Sequence, residues 1–354
     1  YVPYPYSQLT IVDVPDKSWF GAMEYPALIT ASTSLINPSS GRNLHRTVTH
    51  ECAHQFFYGL LASNEAEHPW MDEGFAVYAT TRCLQASYGN AYHTKTYLDR
   101  YGFGIPFVFQ NIPVDYRANL QNSQRLYGMS GRMAEKAWEN YSFDIYRNNA
   151  YMKPALMLWT LENILDDEWP DLMKSYTQSW SFKHPGPEDF INLLKQKQPD
   201  MSSMVHTLLE TPSQCDYAIS DLYTIKLPDD QGMFETDDSL ITREISREQD
   251  IFLNKIFLQR KGNLKLPVDI AFTFENGETQ YHSWDGSGYT RRIQFESESR
   301  LVKAEIDPDH KIWLDVYRHN NLKYAQSSHL PSFKWAAKWI FWVQNLLEMI
   351  TFYS

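Results

Sequence analysis

Two histidines separated by three residues, with a glutamate directly after the first, constrain this chain more than any other feature. The segment is His50-Glu51-Cys52-Ala53-His54. On an α-helix the two imidazoles lie one turn apart on the same face, so both can reach a single ion. Glu51 stays close enough to act on a water molecule beside that ion. A chance match to such a pattern is expected on the order of a few times in a hundred chains, so two ordinary helix histidines stay open as the alternative.

A carboxylate further along the chain supplies a candidate third ligand. Glu73 lies in the segment Trp70-Met71-Asp72-Glu73-Gly74-Phe75-Ala76, nineteen positions after His54, at the predicted start of a second helix. Two histidines and a glutamate leave the fourth position of a zinc ion open for water, whereas a structural zinc is fully ligated, usually by cysteines. Cys52 faces away from the side shared by His50 and His54, which favours a buried packing role over ligation. The pattern therefore predicts a catalytic zinc site.

The composition and charge of the chain exclude several classes of protein. Its 354 residues are 43% hydrophobic and 21% charged, which argues against global disorder and favours two domains. The net charge of -11 argues against a nucleic-acid partner, because neutralising phosphates requires a basic face. Three cysteines imply no disulfide framework, although one bridge stays open. We therefore expect a cytoplasmic or peripheral-membrane protein rather than a disulfide-rich secreted one.

Apolar periodicity predicts that the first half of the chain is mostly helical after two short strands. Helix starts are marked by Asn43 as an N-cap and by Pro154 and Pro187 in first turns. The stretch 101–124 mixes glycine, proline and aromatic residues without a period, so we expect a long loop, either an active-site lid or a surface excursion. The predicted elements are strands at 8–14 and 27–34 and helices at 43–59, 72–88, 154–165 and 187–195.

Short alternating segments and turn signals replace the helical pattern after about Pro228. Asn276-Gly277 follows one of these segments and is typical of a β-hairpin turn. Several short strands separated by turns favour a small β-sandwich. The strand candidates are 251–258, 268–274, 302–306 and 312–316. We therefore predict three regions, namely a catalytic domain at 1–228, a β-sandwich domain at 229–324 and a C-terminal amphipathic helix at 325–354.

Three short motifs in a fixed order and spacing resemble one family of peptidases. They are Gly21-Ala22-Met23-Glu24, His50 to His54, and Trp70 to Ala76. Together they look like the zinc aminopeptidase family that includes alanyl aminopeptidases and leukotriene A4 hydrolase, within the gluzincin group. The resemblance covers residues 1 to about 200 by motif. It implies an α+β fold with a thermolysin-like, mostly helical zinc-peptidase domain, which a small β-sandwich and a C-terminal helix would follow here.

The resemblance also implies how the metal site works. His50, His54 and Glu73 resemble the ligands of one Zn²⁺ per chain. Glu51 looks like the general base that deprotonates the attacking water, whose pKa zinc lowers toward 7. These roles would make the chain a metallopeptidase.

Substrate contacts follow from the same resemblance. Glu24, at the end of Gly21, Ala22 and Met23, resembles the glutamate that holds the free α-amine of the substrate. A buried carboxylate paired with an ammonium would set the distance from the N-terminus to the zinc. Tyr151, followed by Met152 and Lys153, best matches the tyrosine that stabilises the oxyanion. Two nearby tyrosines stay open as alternatives for that role, Tyr141 and Tyr146.

The expected activity is removal of residues from peptides with a free N-terminus, with two departures from the family pattern. Tyr25 stands where the family usually has asparagine, and the family's N-terminal β-domain has no counterpart here, so we expect a truncated or processed protein. Two alternatives stay open. One is a zinc endopeptidase or other zinc hydrolase using the same site, and the other is a catalytically silent binding or scaffold member.

The C-terminal run from Phe333 to Tyr353 is rich in apolar and aromatic residues. On a helix, its polar residues form one narrow stripe, which is composed of Lys334, Lys338, Asn345 and Glu348. Such a helix can lie at a membrane surface or dock on the protein body or a partner subunit. We favour docking, because an acidic chain gains nothing from anionic lipid, and the charges within the run argue against a spanning helix.

Overall fold

The computed structural model describes residues 1–15, 18, 21–33, 43–93, 113–228, 230–236, 239–245, 249–326 and 330–352. The chain divides into two compact units, each drawn from several stretches of sequence. The first unit contains Tyr1–Asp216, Lys261–Leu266 and Asp309–Arg318, and the second contains Tyr217–Arg260, Pro267–Pro308 and His319–Ser354. The predicted regions 1–228, 229–324 and 325–354 stay predictions.

The first unit opens with a small mixed sheet, in which the strands are β1 (Thr10–Val14), β2 (Ala22–Met23) and β3 (Leu28–Ser32). The central strand β3 pairs in parallel with β1 and antiparallel with β2. Ile29 and Ala31 of β3 are buried, so this strand forms part of the core. The two predicted strands are confirmed in shorter form, although residue 34 lies outside the described residues.

Helices make up most of the remaining first unit, as the periodicity predicts. They are α1 (Asn43–His54), α2 (Phe75–Tyr88), α3 (Ala118–Tyr127), α4 (Phe143–Arg147), α5 (Lys153–Leu165), α6 (Trp169–Trp180), α7 (Pro187–Lys197) and α8 (Pro199–Glu210). Two π-helical turns, Trp70–Gly74 and Asn148–Met152, run directly into α2 and α5. The smaller elements are β4 (Ala91–His93), β5 (Pro113–Asp115) and the 3₁₀ turns Ala137–Glu139, Asp166–Glu168 and Arg318–Asn320.

Two predictions for this unit are wrong in part. Helix α1 ends at His54, five residues before the predicted end, and turns follow it to Leu60. Residues 101–112 of the predicted loop lie outside the described residues, but 113–124 contain β5 and most of α3. Helix α3 buries the amide of Gln124, which donates to the Ser213 carbonyl at 3.3 Å. The helix is short and polar, and Leu120 is its one apolar side chain that is fully buried among the described residues, so few apolar residues mark it in the sequence.

The second unit is built mainly from antiparallel strands. They are β6 (Tyr217–Lys226), β7 (Asp230–Thr236), β8 (Ser239–Ile245), β9 (Phe252–Arg260), β10 (Val268–Phe274), β11 (Thr279–Trp284), β12 (Thr290–Ser297), β13 (Leu301–Ile306) and β14 (Leu322–Tyr324). One sheet has the order β12-β9-β6 and another β11-β10-β13-β14, while β7 and β8 form a separate ribbon. Phe272 of β10 stacks on Phe295 of β12 with ring centroids 5.3 Å apart, so faces of the two sheets meet.

The turn between β10 and β11 is the predicted hairpin. Gly277 has a φ of +87°, a backbone conformation that glycine adopts without steric cost, and Thr273 pairs with Thr279 across the turn. By contrast, the strand predicted at 312–316 is wrong. This segment belongs to the first unit and forms turns, with Ile312 and Leu314 buried. Burial does not alternate here, because Trp313 and Asp315 are buried as well and Val316 is half-buried, as expected of a segment that packs in the first unit outside any sheet.

The C-terminal run forms α9 (Leu330–Phe352). Its described aromatic side chains include Phe333, Trp335 and Trp339, all largely exposed. No helix in the described part of the chain is long and apolar enough to cross a membrane. The interpretation of Phe333 to Tyr353 as a docking or membrane-surface helix stays a prediction, and Tyr353 lies outside the described residues.

Candidate active site

The two motif histidines project from the last two turns of α1. Their Nε2 atoms lie 3.3 Å apart, and the rings meet edge to face with centroids 4.6 Å apart. His54 is buried, whereas His50 retains partial exposure. The arrangement turns one nitrogen of each ring toward a common point, as the helical spacing predicts.

Glu73 completes this cluster from the π-helical turn that precedes α2. Its Oε2 lies 3.2 Å from His50 Nε2 and 3.4 Å from His54 Nε2. That oxygen is buried and accepts no hydrogen bond from the described residues. Ligand atoms of a tetrahedral site with bonds of about 2.05 Å are about 3.3 Å apart. The three protein atoms therefore fit a zinc ion, with two imidazoles and one carboxylate as the donor set.

A second carboxylate orients His54 from behind. Asp72 Oδ1 lies 2.5 Å from His54 Nδ1, and the side chain of each residue is only 2% exposed. The Phe57 carbonyl oxygen lies 3.3 Å from the same nitrogen. Sequence reasoning missed this role of Asp72, although its position directly before Glu73 is the available signal. A hydrogen bond at Nδ1 leaves Nε2 free to bind a metal.

The electrostatics of the cluster favour a positive charge. Among the protein groups alone, burial lowers the pKa of His54, but hydrogen bonding to Asp72 and the nearby Glu73 raise it overall to about 11. Burial raises the pKa of Glu73, yet the imidazoles of His50 and His54 lower it overall. The same carboxylates that hold a proton on His54 would attract a divalent cation to the same place.

Glu51 lies beside the ligands in a buried setting. Burial, reinforced by the carboxylates of Glu24, Glu73 and Asp72, raises its pKa to about 8, while His54 opposes the shift. A carboxyl group with a pKa near the working pH can both accept and return a proton. A cation at the ligand cluster would favour the ionised form.

The Gly21 to Glu24 motif reaches the site along β2. Ala22 and Met23 pair with Ala31 and Thr30 of β3, and Glu24 follows directly. Burial raises the pKa of Glu24, and His54 opposes this shift, which indicates that the carboxylate lies near the ligand cluster.

Two backbone contacts fix the Gly21 to Glu24 motif, one at Gly21 and one just after Glu24. A Cβ at Gly21 would lie 3.3 Å from the Ser18 carbonyl oxygen. The side-chain amide of Gln55 donates to the carbonyls of Glu24 and Tyr25. Sequence reasoning missed this residue, and the available signal was its position directly after His54. Tyr25 itself is exposed.

Tyr151 is the tyrosine that the structure brings to the candidate metal ligands. Its hydroxyl donates to Glu73 Oε1 at 2.6 Å, and its ring stacks on His50 with centroids 6.2 Å apart. Burial raises the pKa of Tyr151, so its hydroxyl stays a proton donor. Tyr146 contacts the Tyr151 ring edge to face at 5.9 Å, whereas Tyr141 is 91% exposed.

Close packing of the two π-helical turns holds Tyr151 near Glu73. A Cβ on Gly74 would lie 2.5 Å from Pro154 Cγ and 3.3 Å from the Ala150 carbonyl oxygen. The turn that carries Glu73 can therefore approach the turn that carries Tyr151 only because residue 74 has no side chain.

The cysteines take no part in the metal cluster. Cys52, Cys83 and Cys215 all lie within the described residues, and no disulfide joins them. Cys52 is half-buried, so the prediction of a buried packing residue holds only in part. The ligand set of the cluster contains only histidine and glutamate.

Comparison with known proteins identifies a family domain and several relatives. The peptidase family M1 domain matches residues 1–208. A leukotriene A-4 hydrolase homolog from Botryotinia fuckeliana is 26% identical over 192 residues, which are 53% of this chain and 27% of that protein. Aminopeptidase B from Rattus norvegicus is 24% identical over 201 residues, which are 56% of this chain and 29% of that protein. The chain thus spans less than a third of the length of these curated relatives.

Among solved structures, aminopeptidase A of Legionella pneumophila in complex with aspartic acid is similar in fold. It is 12% identical with a TM-score of 0.53, and the match covers 86% of this chain and 31% of that chain. The family domain, by contrast, matches by sequence over more than half of this chain. This chain belongs to peptidase family M1.

Proposed function

We propose that this chain is a zinc-dependent metalloaminopeptidase that hydrolyses the N-terminal peptide bond of peptides. The observation that carries the proposal is the triangle of His50 Nε2, His54 Nε2 and Glu73 Oε2, with sides of 3.2 to 3.4 Å. Two relatives carry the names aminopeptidase B and leukotriene A-4 hydrolase homolog. Because the chain spans less than a third of the length of these proteins, we assign their activity to it only as a proposal.

One zinc ion per chain, held by His50, His54 and Glu73, would supply a Lewis acid that activates water and polarises the scissile carbonyl. Glu51 accepts the proton of the attacking water and returns it to the leaving amine. Its buried position and a pKa near 8 suit a group that must take both roles.

Tyr151 and Glu24 act on different groups of the substrate. Tyr151 donates a hydrogen bond to the developing oxyanion, exchanging its contact with Glu73 for one with the substrate. Glu24 pairs with the free α-ammonium of the substrate and fixes cleavage after the first residue. The substrates are therefore peptides with a free N-terminus, and no nucleic-acid partner is involved. Gly21, Ala22 and Met23 contribute to substrate binding beside Glu24.

Paired fluorogenic substrates test the proposal directly. We expect zinc-loaded protein to hydrolyse aminoacyl amides with a free amine and to leave the N-acetylated compounds intact. Hydrolysis of both series would instead indicate a zinc endopeptidase or a broader zinc hydrolase, and would remove Glu24 from its role. Hydrolysis of neither would contradict the proposal and favour a binding or scaffold function.

A variant separates the base from the metal ligands. Glu51→Gln keeps the shape of the side chain but cannot accept the proton, so we expect zinc content to stay at the wild-type level while kcat falls roughly 10²- to 10⁴-fold. Glu67→Gln is the matched control, because Glu67 is an exposed glutamate on the loop before Trp70. Normal turnover by Glu51→Gln would show that another group is the base.

A further inference from the structure

A glutamine next to the second histidine is fully buried and holds three backbone groups. Gln55 is 0% exposed and follows His54 directly. Its Oε1 accepts a hydrogen bond from the Ala27 amide at 2.7 Å. Its Nε2 donates to the Tyr25 carbonyl at 3.1 Å and to the Glu24 carbonyl at 3.4 Å. A buried side-chain amide is tolerated when its donor and acceptor are hydrogen-bonded, whereas burying it without partners destabilises the fold.

The segment that Gln55 holds lies between two strands and has an unusual backbone. Residues 24–27 connect β2 to β3 outside the strand pairing. Ala27 has a φ of +59°, a left-handed backbone conformation that is unfavourable for a residue with a side chain. The Ala27 carbonyl accepts from Thr10 and the Tyr25 carbonyl accepts from Leu28, so the sheet fixes one side of the segment. Gln55 fixes the other side to the helix that carries both histidines.

Glu24 sits close to the ligand cluster through this connection. A carboxylate oxygen of Glu24 lies within 4.8 Å of one on Asp72, which itself contacts His54. The side chain of Gln55 links the backbone at Glu24, Tyr25 and Ala27 to the residue that follows His54. Loss of these bonds would free the segment that carries Glu24 without removing any candidate ligand.

We propose that Gln55 is a positioning residue that sets the distance between the Glu24 carboxylate and the metal centre, and so enforces removal of a single N-terminal residue. This inference rests on the proposed aminopeptidase function. It assigns to a buried amide the placement of Glu24, whose carboxylate selects a free α-amine. Misplacement of a binding group by about 1 Å can cost 10²-fold in rate.

Two substitutions test the role. Gln55→Met preserves the approximate size of the side chain and removes all three hydrogen bonds. Gln55→Glu keeps an acceptor for the Ala27 amide but, when ionised, cannot donate to the Tyr25 carbonyl. Gln121→Met is the control, because Gln121 also donates to two backbone carbonyls, those of Trp313 and Asp315, away from Glu24.

The readouts are zinc content, kcat and KM on free-amine amides, and the ratio of free-amine to N-acetylated hydrolysis. For Gln55→Met we expect zinc content at the wild-type level, a KM raised about 10-fold or more, and a ratio lowered roughly 10- to 100-fold. Gln55→Glu should also raise KM and lower the ratio, but by a smaller factor. Gln121→Met should lower the thermal midpoint without moving KM or the ratio.

The outcomes separate this inference from the function on which it rests. If wild-type protein prefers free amines and both Gln55 variants keep that preference, Gln55 is only structural and the inference is wrong. If wild-type protein shows no preference, the aminopeptidase proposal fails first and the inference fails with it. If Gln55→Met does not fold, a lowered ratio in Gln55→Glu supports the inference and an unchanged ratio overturns it.

Discussion

The carboxylate behind His54 offers the sharpest perturbation of the metal site. Asp72→Asn keeps an oxygen that can accept the Nδ1 hydrogen of His54 and removes the negative charge. The contact is 2.5 Å long between side chains that are almost completely buried, so solvent cannot replace the lost charge. We therefore expect weaker zinc binding with the three ligands still in place.

The magnitude follows from what remains after the substitution. Loss of a hydrogen-bonded partner behind a metal ligand typically lowers metal affinity 10- to 100-fold, or about 1.4 to 2.7 kcal/mol. The Phe57 carbonyl lies 3.3 Å from Nδ1, so the nitrogen keeps a partner even if the new amide turns away. Asp72→Asn should therefore lie near the tenfold end, and Asp72→Ala nearer the hundredfold end because it also leaves a cavity.

Competition with a chromophoric chelator measures this change directly. The dissociation constant for zinc is compared between wild type, Asp72→Asn and the control Asp13→Asn, whose exposed carboxylate bonds Thr33. Circular dichroism confirms that each variant is folded. If Asp72→Asn binds zinc as tightly as wild type, the carboxylate does not support His54 and the reasoning is refuted.

Three further changes test other parts of the first unit. Burial lowers the pKa of Lys153 from 10.5 to about 7, so between these pH values the unfolded chain holds a proton that the folded chain lacks. Stability should therefore rise with pH across that window by about 1.4 kcal/mol per unit, and Lys153→Met should lose this slope in urea unfolding. Parallel curves would contradict the burial argument. Thr160→Val should cost about 1–3 kcal/mol in the same assay, because its hydroxyl accepts from the Trp313 and Leu314 amides at 3.1 and 3.3 Å. An unchanged midpoint would show that those amides find other partners. Tyr151→Phe should keep zinc and lower kcat roughly 10²- to 10³-fold, and a kcat within a few-fold of wild type would assign the oxyanion contact elsewhere.

Local spacing predicted the parts of the site that depend on one helix or one short motif. His50 and His54 meet because a helix repeats every 3.6 residues, and this relation holds without knowledge of the rest of the fold. The turn at Asn276-Gly277 was predicted for the same reason, since its backbone demand is local.

Contacts between distant segments were beyond the reach of sequence patterns. Gln55 meets Ala27 across 28 positions, and neither residue carries a signal of that pairing. Residues 312–316 alternate like a strand, yet their apolar side chains pack in the helical unit. Alternation in a short segment therefore fixes neither the set of buried side chains, since Trp313 and Asp315 are buried too, nor the surface against which they pack.

Because the first unit is discontinuous in sequence, it cannot be expressed by itself as one continuous fragment. A fragment ending at Asp216 would omit Asp309–Arg318. It would then lack the Trp313 amide that donates to the Thr160 hydroxyl, and also the Trp313 ring, whose centroid lies 3.6 Å from the Arg117 guanidinium. No single cut in the polypeptide yields this unit intact. The shortest continuous segment that contains all of it runs from Tyr1 to Arg318 and also includes most of the second unit. The first unit can therefore be moved to another protein only together with that part of the second unit.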